Sequence, residues 1–204
     1  MENTKNTSQW NAKKTMAVVV MGLLTAIVVV LQIFASGVNI GGVANITLVL
    51  APTIVGAALY GWKAGAWLGA VFSAVVLISG QAAFFMAMSI PGTIITVLVK
   101  GTLAGIAGGL IYKLVEKKNR TAAVVAAGII TPVVNTGIYI LGCLVFFKDF
   151  LQAGVEADGR GLFAYIIFVM VGLNFVVELA INLVLSSAMV LILDLAQKKL
   201  RTNG

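Results

Sequence analysis

The sequence predicts an all-helical membrane protein, a compact bundle of six transmembrane helices with both termini in the cytosol. Three observations predict it. The chain of 204 residues is 60% hydrophobic and only 10% charged, with a mean hydropathy of +1.06, whereas a soluble domain is roughly 45–50% apolar and about 25% charged. Its apolar residues fall into runs long enough to cross a bilayer. Its basic residues gather between alternate runs, the asymmetry that sets membrane orientation.

The first run, Thr15 to Ser36, follows Lys13 and Lys14 and is closed by small residues at Ala35 to Gly37. That outline resembles a signal peptide, but about 20 residues exceed the roughly 7–15-residue core of a cleaved signal, so the run is read as span one. Thr47 to Tyr60 and Ala64 to Ser79 follow as spans two and three, split by a turn at Gly61, Trp62 and Lys63. Pro91 to Val115, Ala122 to Phe147 and Leu162 to Leu195 are spans four to six. Span two is short and requires locally thinned membrane or residues borrowed from the preceding loop, while span six is long enough to project into the cytosol. Residues 1–204 then form one integral membrane domain, with cytosolic tails at 1–14 and 196–204.

Orientation follows from charge. Lys5, Lys13 and Lys14, Lys63, then Lys113, Lys117, Lys118 and Arg120, and finally Lys198, Lys199 and Arg201 all fall on one side of a six-span chain. The other side carries the loops Gly37 to Ile46, Gly80 to Ile90 and Lys148 to Gly161, where Asp149, Glu156 and Asp158 outnumber Lys148 and Arg160. The even span count and the charge asymmetry agree in placing both ends in the cytosol, in the cell membrane.

Composition also excludes function classes. The net charge of +7 lies in these short connecting segments, with no basic face interleaved with aromatics, so nucleic acid is not the expected partner. The one cysteine, Cys143, reads as a small packing residue, and the absence of histidine removes His-based triads and the usual zinc and haem ligands. No paired-carboxylate or nucleophile–base motif is present, so the chain is read as a non-enzyme without cofactor or metal. It has no Walker-type loop either, which leaves an ion gradient or a partner as the energy source for uphill transport.

Lys100 on span four and Glu178 on span six are the charges farthest from water, and an ionised side chain there costs at least roughly 2.5–3.5 kcal/mol. Counting about 1.5 Å per residue from the outer helix ends, Lys100 lies roughly 14 Å deep, Asn135 roughly 18 Å, Asn174 roughly 17 Å and Glu178 roughly 23 Å. Asn174, Glu178 and Asn182 recur every four residues and form one polar stripe that must face protein or a water-filled cavity. Two readings stay open: a substrate site lined by Lys100, Asn135 and Asn174, or a Lys100–Glu178 ion pair with amide hydrogen bonds that fix helix packing. Glu178, the deepest, suits a structural or coupling role, and Gln32 reads as an interfacial polar residue.

Gly101, Gly105 and Gly109 form a small-residue face on span four, matched in spacing by Gly61, Gly65 and Gly69, and are expected to be an internal seam. Gly22 and Ala26 on span one make a shorter face that suits either internal packing or docking of another membrane protein. Phe84, Phe85, Phe146, Phe147, Phe150 and Phe163 read as an interfacial belt, a minority of which, with Tyr139, are candidates for the wall of a pocket.

Taken together, these features resemble an S component of an energy-coupling factor (ECF) transporter, the small membrane subunit that captures a vitamin for an ATP-driven importer. The resemblance covers nearly the whole chain. It rests on size, topology, the Gly22 to Ala26 segment, the Val49 to Gly65 stretch, the glycine-rich Lys100 to Gly109 and the segment Pro132 to Gly137. It looks most like the pantothenate- and folate-type members. The resemblance implies a substrate pocket near the outer surface drawn from spans four to six, a lid from the first outer loop, and docking through span one onto a transmembrane coupling (T) protein served by two ATPases. The family's docking motif is usually two alanines four apart, and Gly22 with Ala26 occupies that spacing. The expected function is high-affinity capture of a B-vitamin or related micronutrient, with a lean toward a carboxylate-bearing one such as pantothenate. Lys100, Asn135, Asn174, Tyr139 and Glu178 are the expected substrate-binding residues. The alternative is a stand-alone secondary transporter coupled to protons or ions through Glu178.

Overall fold

Local signals for ending and starting helices recur along the chain, and the computed structural model, which describes residues 2–36, 39–40, 44–45 and 49–202, breaks at each of them. Its helices are α1 (Glu2–Ser36), α2 (Leu50–Tyr60), α3 (Trp62–Ile78), α4 (Ala83–Met88), α5 (Ile90–Val115), α6 (Arg120–Phe146), α7 (Lys148–Asp158), α8 (Leu162–Tyr165) and α9 (Gly172–Thr202), with a π-helical stretch at Ile166–Val171 between the last two. Gly61, at φ 85°, makes the sharp turn from α2 into α3, a backbone region that side chains disfavour. Ser89 caps α5 by accepting a hydrogen bond from the Gly92 amide (3.2 Å), with Pro91 in the first turn. Asn119 caps α6 in the same way through the Ala122 amide (3.0 Å).

Among the described residues, four helical stretches are long and apolar enough to cross a membrane: Lys14–Ala35 within α1, Ile90–Val115, Arg120–Phe146, and Phe175–Ala196 within α9. The apolar helices α2 and α3, which correspond to expected spans two and three, are shorter, at 11 and 17 residues. At about 1.5 Å per residue α2 rises only about 16 Å, roughly half of the hydrocarbon thickness.

The expected glycine seam is real and joins α3 to α5. A Cβ on Gly65 would strike the carbonyl of Gly105, one on Gly69 the carbonyl of Gly101, and one on Gly109 the backbone of Trp62. The order is antiparallel, so the start of α3 lies against the end of α5. Ser73 on α3 closes the same seam by donating its hydroxyl to the Val97 carbonyl at 2.7 Å. Backbones this close gain dispersion contacts that lipid cannot supply, the driving force for helix association where both solvents are apolar. On the other side of α5, Gly142 of α6 meets Thr96 and Gly92 meets Phe146. Arg120 at the start of α6 donates to Asp194 near the end of α9 at 2.5 Å. The basic end of the molecule thus gathers the beginnings of α3 and α6 with the ends of α5 and α9.

Three expectations change. The segment Gly80 to Ile90, read as a loop, contains α4, and Lys148 to Gly161 contains α7. Neither is long enough to register as a span, and α7 is amphipathic, so hydropathy alone passes over both. Span six is not one straight helix: the π stretch ends at Gly172, φ 28°, before α9 begins. A π insertion rotates the residues after it out of α-register, so the face that Glu178 presents does not follow from counting along a straight helix. The expected tails continue as helix within α1 and α9.

Outside the candidate spans, Arg160 fastens α7 to the last helical stretch. Its guanidinium donates to both carboxylate oxygens of Asp158, Nε at 2.9 Å and Nη2 at 2.6 Å, and lies 5.4 Å from the centre of the Phe168 ring. The hydrogen bonds hold the Asp158 carboxyl below the usual carboxylate range. Arg160→Ala should return it to that range, which NMR titration of the aspartate carboxyl can follow. A lowered carboxyl stabilises the fold above its unfolded value and loses that contribution as pH falls through the folded value. The pair is exposed, so the effect on stability should be small and confined to acid pH.

Candidate functional site

At the end of the bundle opposite Arg120 and Asp194, the helices part around a cavity of about 320 Å³, a size that suits a small molecule. Its wall is built from the end of α1, the second half of α3, the α3–α4 turn and α4, the first half of α5, the second half of α6, α7, α8, and the π–α9 junction. Lys100, Asn135, Tyr139 and Glu178, four of the five residues expected to bind substrate, line it together. The fifth, Asn174, has a side chain outside the described residues, as does most of the first outer loop.

The α3–α5 seam places Lys100. Gly101 and Gly69 lock the two helices one residue below it, so its side chain extends between Phe72 of α3 and Tyr139 of α6, with Nζ 5.9 Å and 5.8 Å from their ring centres. Aromatic faces attract a cation without neutralising it. The salt bridges among the described residues are Arg120–Asp194 and Asp158–Arg160, so Lys100 and Glu178 do not form the ion pair that one sequence reading offered. Both instead face the same space.

Glu178 is 2% exposed and Asn182, one turn below, 1%. Asn182 donates its amide to the Glu178 backbone carbonyl at 3.0 Å, and its Cβ and backbone carbonyl face Gly128 of α6. The polar stripe of α9 therefore divides: Glu178 lines the cavity, while Asn182 belongs to the α6–α9 contact. On α6, Pro132 removes one donor from the helix ladder a turn before Asn135.

Buried polar atoms without a hydrogen-bond partner among the described residues are Gln32 Oε1, Gln81 Nε2, Thr96 Oγ1, Tyr112 OH, Asn135 Oδ1 and Glu178 Oε1. All but Tyr112 belong to residues that line this cavity. An unpartnered buried polar atom costs about 1–3 kcal/mol, and native proteins keep few of them. The cavity thus gathers most of the buried hydrogen-bonding groups that lack a protein partner among the described residues.

The aromatic residues sort in the same way. Phe85 sits edge-to-face against Phe147 (5.0 Å), Phe150 (5.5 Å) and Tyr139 (5.8 Å), and all four line the cavity. Phe84, Phe146 and Phe163 stay exposed, as expected of a belt. Phe72, Thr96, Tyr165 and Phe175 are among the other lining residues and were not singled out by sequence. Phe72 had a readable sign, since it precedes Ser73 on the face that Gly65 and Gly69 define; the others depend on helix breaks that periodicity does not reveal. Gln32 also departs from expectation, being buried in the cavity wall at 2% exposure rather than interfacial.

Of the two docking candidates, Gly22 is exposed on α1 with no atom within 4 Å of where its Cβ would stand, and Ala26 is exposed on the same face. Neither is used in internal packing. No curated protein and no solved structure significantly matches the chain. The family model described as the substrate-specific component of the ECF transporter matches residues 16–191, so the chain belongs to that family and is a membrane transport protein, not an enzyme.

Proposed function

We propose that the chain captures a small carboxylate-bearing vitamin, pantothenate being the favoured example, at the outer face of the cell membrane for ATP-driven import. The observation that carries this reading is Lys100, a cation in the wall of a cavity, held between two aromatic rings with no salt-bridge partner among the described residues. A carboxylate entering that space supplies the missing counter-charge, and Asn135, Tyr139, Glu178 and Asn174 meet its remaining polar groups. In this reading the chain crosses the membrane six times, through α1, α2, α3, α5, α6 and the α8–α9 stretch. The charged end is cytosolic and the cavity opens outward, which the basic residues of the opposite end support.

Gly22 and Ala26 form the docking face for a transmembrane coupling protein served by two ATPases, a role supported by their exposure and by family membership. The first outer loop acts as lid. Its described part is a two-residue antiparallel pairing of Asn39–Ile40 with Ala44–Asn45, whose second strand packs on α9.

Proteoliposomes provide the test. Labelled pantothenate should bind protein reconstituted alone and accumulate inside only when the coupling protein, both ATPases and ATP are present. Accumulation driven by a pH gradient with this protein alone, and lost in Glu178→Gln, would instead establish the secondary-transport alternative.

A further inference from the structure

Gln32 lies near the end of α1, and Gln81 in the turn between α3 and α4, 49 residues apart in sequence. Gln32 donates its amide nitrogen to the Gln81 carbonyl oxygen at 2.6 Å. That one bond leaves a carbonyl oxygen on Gln32 and an amide nitrogen on Gln81, both buried and both without a partner among the described residues. Turning both amides over exchanges their roles but leaves the same inventory, one acceptor and one donor. Both residues line the cavity. A tie between α1 and the α3–α4 turn that served only packing needs no further polar group on the cavity side, yet the pair presents there one acceptor and one donor that the described protein atoms do not satisfy.

The pair also stands apart from the charge. Gln81 is at the mouth, three residues beyond the end of α3, whereas Lys100 is ten residues into α5, about 15 Å along the helix from its outer end. Phe72, Val76 and Phe85 line the same cavity, as do Thr93 and Thr96. The cavity therefore offers a cation on α5 and, apart from it, a neutral donor–acceptor pair at the α1 and α3–α4 wall.

We propose that Gln32 and Gln81 are a specificity-determining pair that reads a neutral amide-like group of the substrate, its N–H on the Gln32 oxygen and its carbonyl on the Gln81 nitrogen. The substrate class is then an anion at one end with a carboxamide, lactam or cyclic urea several bonds away. This rests on the capture reading above and adds to it a second recognition point that accepts no simple fatty or aromatic acid. A site built to satisfy polar groups rejects analogues lacking them, because its own groups are then left unpaired.

Calorimetry on the purified full chain separates the two ideas with four probes. Pantothenate and biotin each carry a carboxylate with an amide or cyclic urea, panthenol keeps the amide of pantothenate but replaces the carboxylate by an alcohol, and nicotinate has a carboxylate and no amide. The variant is Gln32→Leu with Gln81→Leu, which removes both partners at once and so spares the fold, as a thermal melt can verify. The expected result is an affinity loss of about tenfold for whichever of pantothenate and biotin binds the wild type, a similar loss for panthenol, and a change below about twofold for nicotinate. Amide-bearing probes that bind the double variant as tightly as wild type overturn the proposal while leaving the capture reading intact. Should Lys100→Met be silent and the glutamine variant not, the role of Lys100 falls and that of the pair stands. A wild-type protein that binds none of the four probes overturns both.

Discussion

Lys100→Met will weaken binding of a carboxylate vitamin by roughly 100-fold, about 3 kcal/mol, and will also raise the melting temperature of the ligand-free protein. The two effects have opposite sign because no carboxylate stands within salt-bridge distance of the lysine until the ligand arrives, Glu178 facing the same cavity without pairing with it. In the empty protein the half-buried lysine has lost part of its hydration and its ammonium is met by the faces of Phe72 and Tyr139 at 5.9 Å and 5.8 Å, which return only part of what is lost. Methionine keeps the length and apolar stem without the charge, so the empty cavity becomes easier to fold around. With ligand bound, the same substitution leaves a carboxylate buried without its counter-ion, the costly half-pair situation. Calorimetry measures the first effect, and thermal unfolding with and without ligand measures the second. Unchanged affinity would take Lys100 out of the site. A lower melting temperature in the empty protein would show that it is a structural cation after all.

Gly105→Val will abolish folding and with it all ligand binding, whereas Gly22→Leu will leave binding intact and remove ATP-driven uptake. Both are small-to-large changes at helix glycines, and only the surroundings differ. At Gly105 the new side chain meets the backbone of Gly65 on α3. Backbone cannot rotate aside as a side chain does, so α3 and α5 must separate, at a cost of more than about 3 kcal/mol. Because Lys100 and Phe72 are positioned by that same seam, a partly folded variant would still lose the site. At Gly22 no atom lies within 4 Å of the added Cβ, and leucine there is ordinary for a lipid-facing helix. Its bulk matters only when another membrane protein packs on that face. Gel filtration and ligand binding distinguish the outcomes for Gly105→Val. For Gly22→Leu, vesicles with the full complex are compared with binding to the isolated chain, and full uptake would move docking elsewhere.

The seam between α3 and α5 was legible before any coordinates, because glycines every four residues have few uses in an apolar helix beyond close approach. Lys100 and Glu178 were legible too, since an ionisable group in a membrane span demands an explanation. That both face one cavity without pairing was not legible. Counting along a straight helix does not say which face of span six Glu178 presents, since the π stretch and Gly172 interrupt that span before it, and the structure puts both residues in the cavity wall. Gln32 was misjudged for a related reason: a lone glutamine close to the end of an apolar run looks interfacial until Gln81 is folded back against it. Likewise Phe85, Phe147 and Phe150 have the same local sequence character as Phe84, Phe146 and Phe163, yet the first three line the cavity and the second three remain exposed.

By itself, the sequence determined that the chain lives in a membrane, how its charges divide between the two ends, and which few polar residues lie deep within it. Those properties follow from transfer free energies of individual residues and from helical periodicity, both local quantities. Tertiary structure alone decided which deep polar residues meet, which glycines touch and which stay bare, and that unsatisfied hydrogen-bonding groups converge on one cavity. These depend on helix breaks and on contacts between segments far apart in sequence, where a rotation of one residue moves a side chain by about 100° around its helix. Hydrophobicity is nearly uniform around these helices, so it cannot say which way each one turns.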